Sequence, residues 1–417
     1  MALGLIIFLY ILAFFSLYTQ VFFLVSFFEH RSLMKSQEAR SVPDELLPSV
    51  TMIVPCWNEE DSAYESIMSI FELDYPRDRL RVIAVDDGST DNTWRELERC
   101  ARDHDITILR KENGGKHTAL NFAIPHVTTP YMCCIDADTT FEPHSLRELV
   151  SYSYYEPEVA AVAGTVLIKK PRTIFQMAQN VEYHMFAFNK KVLGLLRGVL
   201  VAPGAFSLFK TDIVKEVGMY KNAHNMEDLE LTYRLQINGY RVEHCHSGIA
   251  YTTGPETLRA LFKQRMRWSY GFLHNTRDYK HAIFNKKYGN FGIFTLPMSI
   301  FAYLVVVTLF FLSWYYIVNF FIDAIITIRI AGIESFIGGL FQFDAFFLNT
   351  QAFLFLSTLM FIIVLFTILL GRFTSRIPVF RHMSHIVWFV ALYNILAPFW
   401  IMSSIINVIR SHKPSWR

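Results

Sequence analysis

The residues best suited to chemistry in this chain are carboxylates that come in pairs. Asp86 and Asp87 close an apolar, strand-like run and are followed by Gly88-Ser89, where glycine permits a tight turn. Asp136 and Asp138 follow Tyr131-Met132-Cys133-Cys134-Ile135 with one residue between them. At a strand period of two, both side chains point the same way. Two like charges at one strand end repel, and a hard divalent cation relieves the repulsion. Mg²⁺ or Mn²⁺, bound by one or two carboxylates and by substrate phosphates, suits such oxygen donors. A capping turn explains one acid of a pair more readily than two.

Three further motifs carry polar side chains at useful spacings. Asn113-Gly114-Gly115-Lys116 opens a helix. Backbone amides at a helix N-terminus plus a lysine make an anion site, and a glycine-rich turn with a surface lysine accounts for the motif equally well. Glu227-Asp228 begins another helix, where acids ordinarily serve the helix dipole. Asp228 gains weight as a general base from the motifs around it. In Gln264-Arg265-Met266-Arg267-Trp268, residues 264, 267 and 268 share one helical face. Arg267 offers a planar fork for phosphate oxygens and Trp268 a flat apolar face for a sugar ring. The opposite face of that basic helix reads as a membrane-surface contact. His244-Cys245-His246 lacks a second ligand pair with metal spacing, so two satisfied histidines beside a buried cysteine are expected.

Repeated strand–helix units position these motifs. Strands are expected at Ser49–Pro55, Leu80–Val85, Ile106–Arg110, Tyr131–Ile135 and 159–168. Helices are expected at Asn58–Leu73, Asp91–Arg102, Gly115–Ile124, 143–153, 227–238 and roughly 256–275. Such alternation implies an α/β fold, Rossmann-like, with a mostly parallel sheet and helices on both faces. Ligands bind such sheets at the carboxyl ends of the strands, where the acidic motifs fall.

Charge is unevenly spread along the 417 residues. Lys and Arg total 39 and Asp and Glu 37, a net charge of +2 that gives no reason to expect nucleic acid as a partner. Hydrophobic residues make up 52% and charged residues 18%, below the soluble norm of roughly 25% charged. No charge precedes Glu29, and only ten charged residues follow position 290. A soluble domain between membrane segments is expected, which excludes a wholly soluble protein, a disordered chain and a disulfide scaffold. Residues 1–28 are long enough to cross about 30 Å of hydrocarbon as a helix and read as a signal anchor. Uncharged stretches at 291–322, 345–371 and 386–409 are the other expected spans. Arg31, Lys35 and Arg40 after the first span put the N-terminus outside and the middle domain in the cytosol. A loop at 323–344 lies outside, and Arg372, Arg376 and Arg381 mark a return to the cytosol. Arg410, Lys413 and Arg417 pull the C-terminus inside, and Pro398 offers a break into a re-entrant hairpin. Five cysteines in a cytosolic domain read as free thiols.

The ordered set Asp86-Asp87, Asp136-x-Asp138, Glu227-Asp228 and Gln264-x-x-Arg267-Trp268 resembles the membrane-embedded family 2 glycosyltransferases. These include hyaluronan, chitin-oligosaccharide, cellulose and poly-N-acetylglucosamine synthases. Pro55-Cys-Trp-Asn-Glu-Glu60, Asn113–Asn121 and Gln264–Trp268 look most like the poly-N-acetylglucosamine and chitin-oligosaccharide branch. Met226 departs from the small polar residue that many members place before Glu-Asp, and the Gly-Asp-Asp form of hyaluronan synthases is absent.

The resemblance implies a GT-A fold and metal-dependent, inverting hexosyl transfer from a UDP-sugar. Asp87 would meet the uracil, with Pro55, Asn58, Glu59, Asp86, Lys116, Asp136, Gln264, Arg265 and Arg267 also binding the nucleotide-sugar. Asp136 and Asp138 would hold Mg²⁺ or Mn²⁺, Asp228 would be the catalytic base, and Trp268 with Glu227 would bind the acceptor. Four parts are expected: an N-terminal transmembrane helix at 1–28, a cytosolic transferase domain at 29–252, amphipathic interface helices at 253–290 and a C-terminal transmembrane region at 291–417. The expected protein is a multi-pass plasma-membrane enzyme that adds N-acetylglucosamine to a growing β-linked polysaccharide. Transfer of one or a few sugars to a lipid or short glycan is the alternative, and a transporter or scaffold that only binds nucleotide is a third reading. Bilayer lipid is a partner, and an accessory membrane or export subunit is an open one.

Overall fold

The computed structural model describes residues 2–38, 40–340, 350–374, 378 and 383–411. Arg376, Arg381, Lys413 and Arg417, used above to argue orientation, lie outside the described residues. Helix α1 (Ala2–Glu29) and the short α2 (Arg31–Glu38) lead into β1 (Val50–Cys56), α3 (Ala63–Phe71), β2 (Leu80–Asp87), α4 (Thr93–Asp103), β3 (Thr107–Lys111), α5 (Lys116–Ala123) and β4 (Tyr131–Ile135). There follow β5 (Thr140–Phe141), α6 (Ser145–Tyr154), β6 (Val159–Ile168), α7 (Ile174–Leu195), β7 (Phe206–Lys210), α8 (Thr211–Glu216), α9 (Glu227–Ile237), β8 (Arg241–Thr252) and α10 (Leu258–Asp278). Three long helices follow among the described residues: α11 (Leu296–Leu340), α12 (Thr350–Thr374) and α13 (Ser384–Ile409).

The strands form one sheet in the order β3-β2-β1-β4-β7-β6-β8-β5. β1 pairs in parallel with β2 and β4, β2 with β3, and β6 with β8. β7 runs antiparallel to both its neighbours, and β5 antiparallel to β8. Alternate residues of the central strands feed separate cores. Met52, Val54, Cys133 and Ile135 pack with α3, α4 and α6, whereas Ile53, Met132 and Cys134 pack with α5, α8 and α9. A sheet buried on both faces explains the continuous apolar runs of β1 and β4. Register then aligns the functional edge: Cys56 lies opposite Asp86, and Ile53 opposite Cys134. The ends of β1, β2 and β4 therefore release their motifs on one side of the molecule.

Five strands and six helices lie where the sequence pattern predicts, although the first helix begins at Ala63 because 57–62 form a turn. The sequence pattern did not mark α7, β7 or β8. All five cysteines are buried and free. His244 contacts the Ala163 carbonyl at 3.0 Å and His246 the Tyr152 hydroxyl at 3.4 Å, both in the core, as expected of satisfied histidines.

Among the described residues, three helical segments are long and apolar enough to cross a membrane: Ile7–Glu29, Phe291–Ile337 and Ser384–Ile409. The described part of the expected span at 345–371 is helical, with a shorter apolar stretch at Thr358–Thr374. Two expectations are corrected. The stretch 323–340 is not a loop but continues α11, which breaks at Gly332 with φ of +81°. Helix α13 runs through Pro398 without a hairpin. Large apolar side chains such as Phe14, Phe321 and Val387 face outward, as lipid contact requires. Helix α7 joins the two regions, packing on β6 and β8 and also on α1, α12 and α13.

In that junction Gly371 of α12 packs close against α7, where an added Cβ would lie 2.3 Å from the His184 carbonyl oxygen. Gly371→Leu is expected to lower the thermal unfolding temperature in detergent micelles, reflecting an overpacking cost of about 1–3 kcal/mol. An unchanged temperature would contradict the α7–α12 packing described.

Candidate active site

Asp87 organises the first half of the site. Its Oδ1 accepts from Lys111 Nζ at 2.6 Å and from the Gly114 amide at 3.1 Å, and its Oδ2 accepts from the Gly115 amide at 2.8 Å. The carboxylate thus fastens the 113–116 turn to the end of β2. Gly88 is required beneath it: φ is +69°, and a Cβ there would lie 2.6 Å from the Asn113 amide nitrogen. Asp86 has a separate task. It is fully buried, caps the turn through the Ser89 amide at 2.9 Å and pairs with Arg110 at 3.0 Å. Asn58 likewise works within the turn, accepting from the Thr90 amide at 2.9 Å.

The second half gathers around Lys116. Its ammonium is hydrogen-bonded to Asp136 Oδ1 and lies 3.9 Å from Glu227 Oε1. Burial opposes that charge, but Asp136, Glu227 and Asp228 outweigh it and hold the lysine above its ordinary range. Asp228 is oriented by two backbone amides, Gly204 at 3.0 Å to Oδ2 and Leu229 at 2.8 Å to Oδ1. Gly204 is wedged between these groups, since a Cβ would come within 2.6 Å of Lys116 Nζ. Burial raises the Glu227 carboxyl, with Lys116 pulling it down and Asp228 pushing it up. For Asp138, burial first and then neighbouring Asp136 push the carboxyl up to about 6, against the hydrogen bond from Thr252. Thr252 Oγ1 reaches both Asp138 oxygens at 3.1 and 3.0 Å.

These groups line a cleft of about 1250 Å³. Pro55, Glu59, Asp87, Lys116, Asp136 and Asp138 border it from the sheet edge, and Glu227 and Asp228 from α9. Gln264, Arg267 and Trp268 border it from α10. Of the residues singled out from sequence, Asp86, Asn58 and Arg265 do not line it. Arg265 is buried and bonded to Glu182 and Tyr393, while its guanidinium stacks 4.1 Å from the Trp268 ring centroid. The sequence pattern missed several cleft residues. Lys190 on α7 is one; burial lowers its ammonium to about 8 against the pull of Asp228. Arg259 and Lys263 are others; they precede Arg267 on the same α10 stripe, and the i, i+4, i+8 spacing was the available signal. The far end of the cleft reaches Phe23 of α1, Phe294 just before α11 and Tyr303 of α11.

The donor set fits a hard cation of the Mg²⁺ or Mn²⁺ type. Asp136 and Asp138 present only oxygens, and burial first, then the neighbouring Asp136 charge, raises the Asp138 carboxyl. Among the described residues no three His, Cys, Asp or Glu side chains converge on one point. A cation here would complete its shell with phosphate oxygens and water.

Comparison with known proteins follows the same outline. The model of a family described as "Glycosyltransferase like family 2" matches residues 48–271, more than half of the chain. A poly-beta-1,6-N-acetyl-D-glucosamine synthase of Staphylococcus aureus (strain MSSA476) is 30% identical over 227 residues, 54% of this chain and 55% of that protein. The chain thus spans about half the length of that relative. The synthase of the same name from Staphylococcus epidermidis (strain ATCC 35984) is 26% identical over 341 residues, 81% of this chain and 78% of that one. The solved mannosyltransferase PcManGT from Pyrobaculum calidifontis, in complex with GDP-Man and Mn²⁺, superposes with a TM-score of 0.58 over 96% of this chain and 99% of its own. At 18% identity that likeness is one of fold, and it agrees with the expected GT-A architecture.

The raised Asp138 carboxyl has a consequence for stability. Its native proton affinity exceeds that of the unfolded chain. Its contribution is therefore fully present below the ordinary aspartate range and is lost as pH rises through about 6. Asp138→Asn escapes that loss. In chelator, its advantage in unfolding temperature over the natural chain is expected to grow by a few degrees between about pH 4 and pH 7. A difference that stays constant across that range would contradict the environment assigned to Asp138.

Proposed function

The chain belongs to the glycosyltransferase-like family 2, and on that premise we propose that it transfers N-acetylglucosamine from UDP-N-acetylglucosamine, with inversion, to the growing end of a β-linked polysaccharide. The observation that carries this reading is the placement of Asp228. Its carboxylate is locked by two backbone amides and borders the same cleft as the Lys116–Asp136 pair and Trp268. The names of the staphylococcal relatives support the choice of sugar and product.

In this reading the nucleotide lies along the ends of β1 and β2, against Pro55, Glu59 and Asp87, and the diphosphate lies near Lys116 and Arg267. Asn58 and Asp86 serve it indirectly, by shaping the turns. A divalent ion held by Asp136 and Asp138 would supply Lewis-acid stabilisation of the departing diphosphate. The acceptor sugar rests on Trp268, with Glu227 beside it. Asp228 takes the proton of the acceptor hydroxyl as its oxygen bonds to the anomeric carbon. The bond from that carbon to the β-phosphate oxygen breaks on the opposite face, the electron pair leaves with UDP, and the configuration inverts. Lys116 and Arg267 offset the charge growing on UDP.

The boundaries proposed above from sequence fit this assignment, with 29–252 as the cytosolic transferase domain and 253–290 as the interface helices. The multi-pass arrangement in the plasma membrane with the N-terminus outside rests on the positive charges after α1. The extension of the cleft to α1 and α11 supports a long acceptor, and an accessory export subunit would act beyond that end.

The test is radiolabelled UDP-N-acetylglucosamine supplied to membranes containing the full chain. A ladder of lengthening products is expected, whereas a single discrete product would contradict processive synthesis. Asp228→Asn should keep donor binding and lose transfer by roughly 10²–10⁴-fold. Retained turnover in that variant would remove Asp228 as the base.

A further inference from the structure

Helix α13 is more than an anchor, because it touches the Gln-x-x-Arg-Trp segment at three points. The Tyr393 hydroxyl meets the Arg265 guanidinium at 3.4 Å, Ser404 Oγ donates to the Met266 carbonyl at 2.9 Å, and Asn407 Nδ2 approaches the Met266 sulfur at 3.3 Å. Glu182 of α7 closes the arrangement. It accepts from Arg265 and, at 2.8 Å, from the Tyr393 hydroxyl. Arg265 is only 3% exposed and Glu182 8%. Among the described residues, Arg265 Nε and Nη1 find no hydrogen-bond partner. The guanidinium is therefore held by Glu182 and Tyr393 at one edge and lies over two rings, that of Trp268 at 4.1 Å and, farther off, that of Tyr183 at 5.9 Å.

A buried ion pair is a poor source of stability, since desolvation offsets most of its attraction and apolar residues pack as well. What an apolar pair cannot supply is a fixed plane. A guanidinium gripped at one edge presents a flat cationic face at a set angle, and an aromatic ring stacked on it takes that angle. Arg265 and Trp268 are three residues apart on α10, so their side chains leave the helix on the same side. Trp268 is also one of the side chains that line the cleft.

We infer that Glu182 and Tyr393 are positioning residues for acceptor binding, holding Arg265 so that Trp268 presents its ring to the incoming sugar. This rests on the reading of Trp268 as the acceptor floor. It makes the last membrane helix part of the transferase site, and it gives the arginine that does not face the cleft a role through its neighbour.

The experiment uses the full chain in lipid nanodiscs, with UDP-N-acetylglucosamine as donor and a short N-acetylglucosamine oligomer as acceptor. The variants are Tyr393→Phe, Glu182→Asp, Trp268→Ala and the double Glu182→Gln/Arg265→Gln, which leaves no unpaired buried charge. Tyr393→Phe and the double variant are expected to unfold near the natural temperature. Both should raise the acceptor KM by roughly ten- to a hundredfold, the scale of a misplaced contact, with a smaller change in donor KM. Glu182→Asp should recover part of the acceptor affinity. Folded variants with the natural acceptor KM, alongside a raised KM in Trp268→Ala, would overturn the inference and leave the proposed function standing. Equal rises in donor and acceptor KM would also overturn it, as a general loss of structure. If Trp268→Ala itself leaves the acceptor KM unchanged, the proposed acceptor site falls and this inference with it.

Discussion

One half-buried ammonium ties together the acidic groups at the centre of the site. Lys116 leaves the first turn of α5, bonds to Asp136 from the end of β4 and approaches Glu227 at the start of α9. Three carboxylates, Asp136 just beyond β4 and Glu227 and Asp228 of α9, would otherwise repel across the cleft, where each unrelieved like-charge contact is costly. The lysine can reach them only because Gly204 has no side chain and because Asp87 ties the 113–116 turn to β2. The electrostatics give the site its capacity: in the proposed reading, a negative shelf with the Lys116 charge fixed in it would receive a diphosphate that brings its own cation.

The second constraint is mechanical. A transferase domain joined to helices long and apolar enough to cross a membrane must fix its cleft relative to those helices. Helix α7 serves this on one side, lying between the sheet and α1, α12 and α13. Helix α10 serves it on the other, with α13 packed along it. The cleft is consequently built from soluble and membrane elements at once, from Asp87 at the sheet edge to Tyr303 on α11.

Much of this was legible in the residues. The apolar runs of β1, β2, β4 and β6 announce strands buried on both faces, and each acidic motif follows a strand or opens a helix. Helix α7 was hidden for a physical reason: its two sides are both buried, against β6 and β8 and against the membrane helices, so no clean polar stripe marks its period. Strand β8 was hidden because Glu243, His244 and His246 interrupt its apolar pattern, and Glu243 looks solvent-facing until Arg241 is seen to pair with it. Asp86 and Asp87 look equivalent in sequence, yet one builds the turn and the other faces the cleft. Arg265 and Arg267 divide in the same way. Such divisions depend on which side of an element meets a distant one, and spacing alone does not encode that.

The central claim is that Lys116 makes the acidic shelf competent for an activated sugar. Calorimetric titration of UDP-N-acetylglucosamine with Mn²⁺ into the purified full chain and into Lys116→Met tests it most directly. The account predicts saturable binding by the natural chain and a loss of about tenfold or more in the variant, as expected when a charge-assisted contact is removed from a buried site. Equal affinity in the two proteins would contradict it.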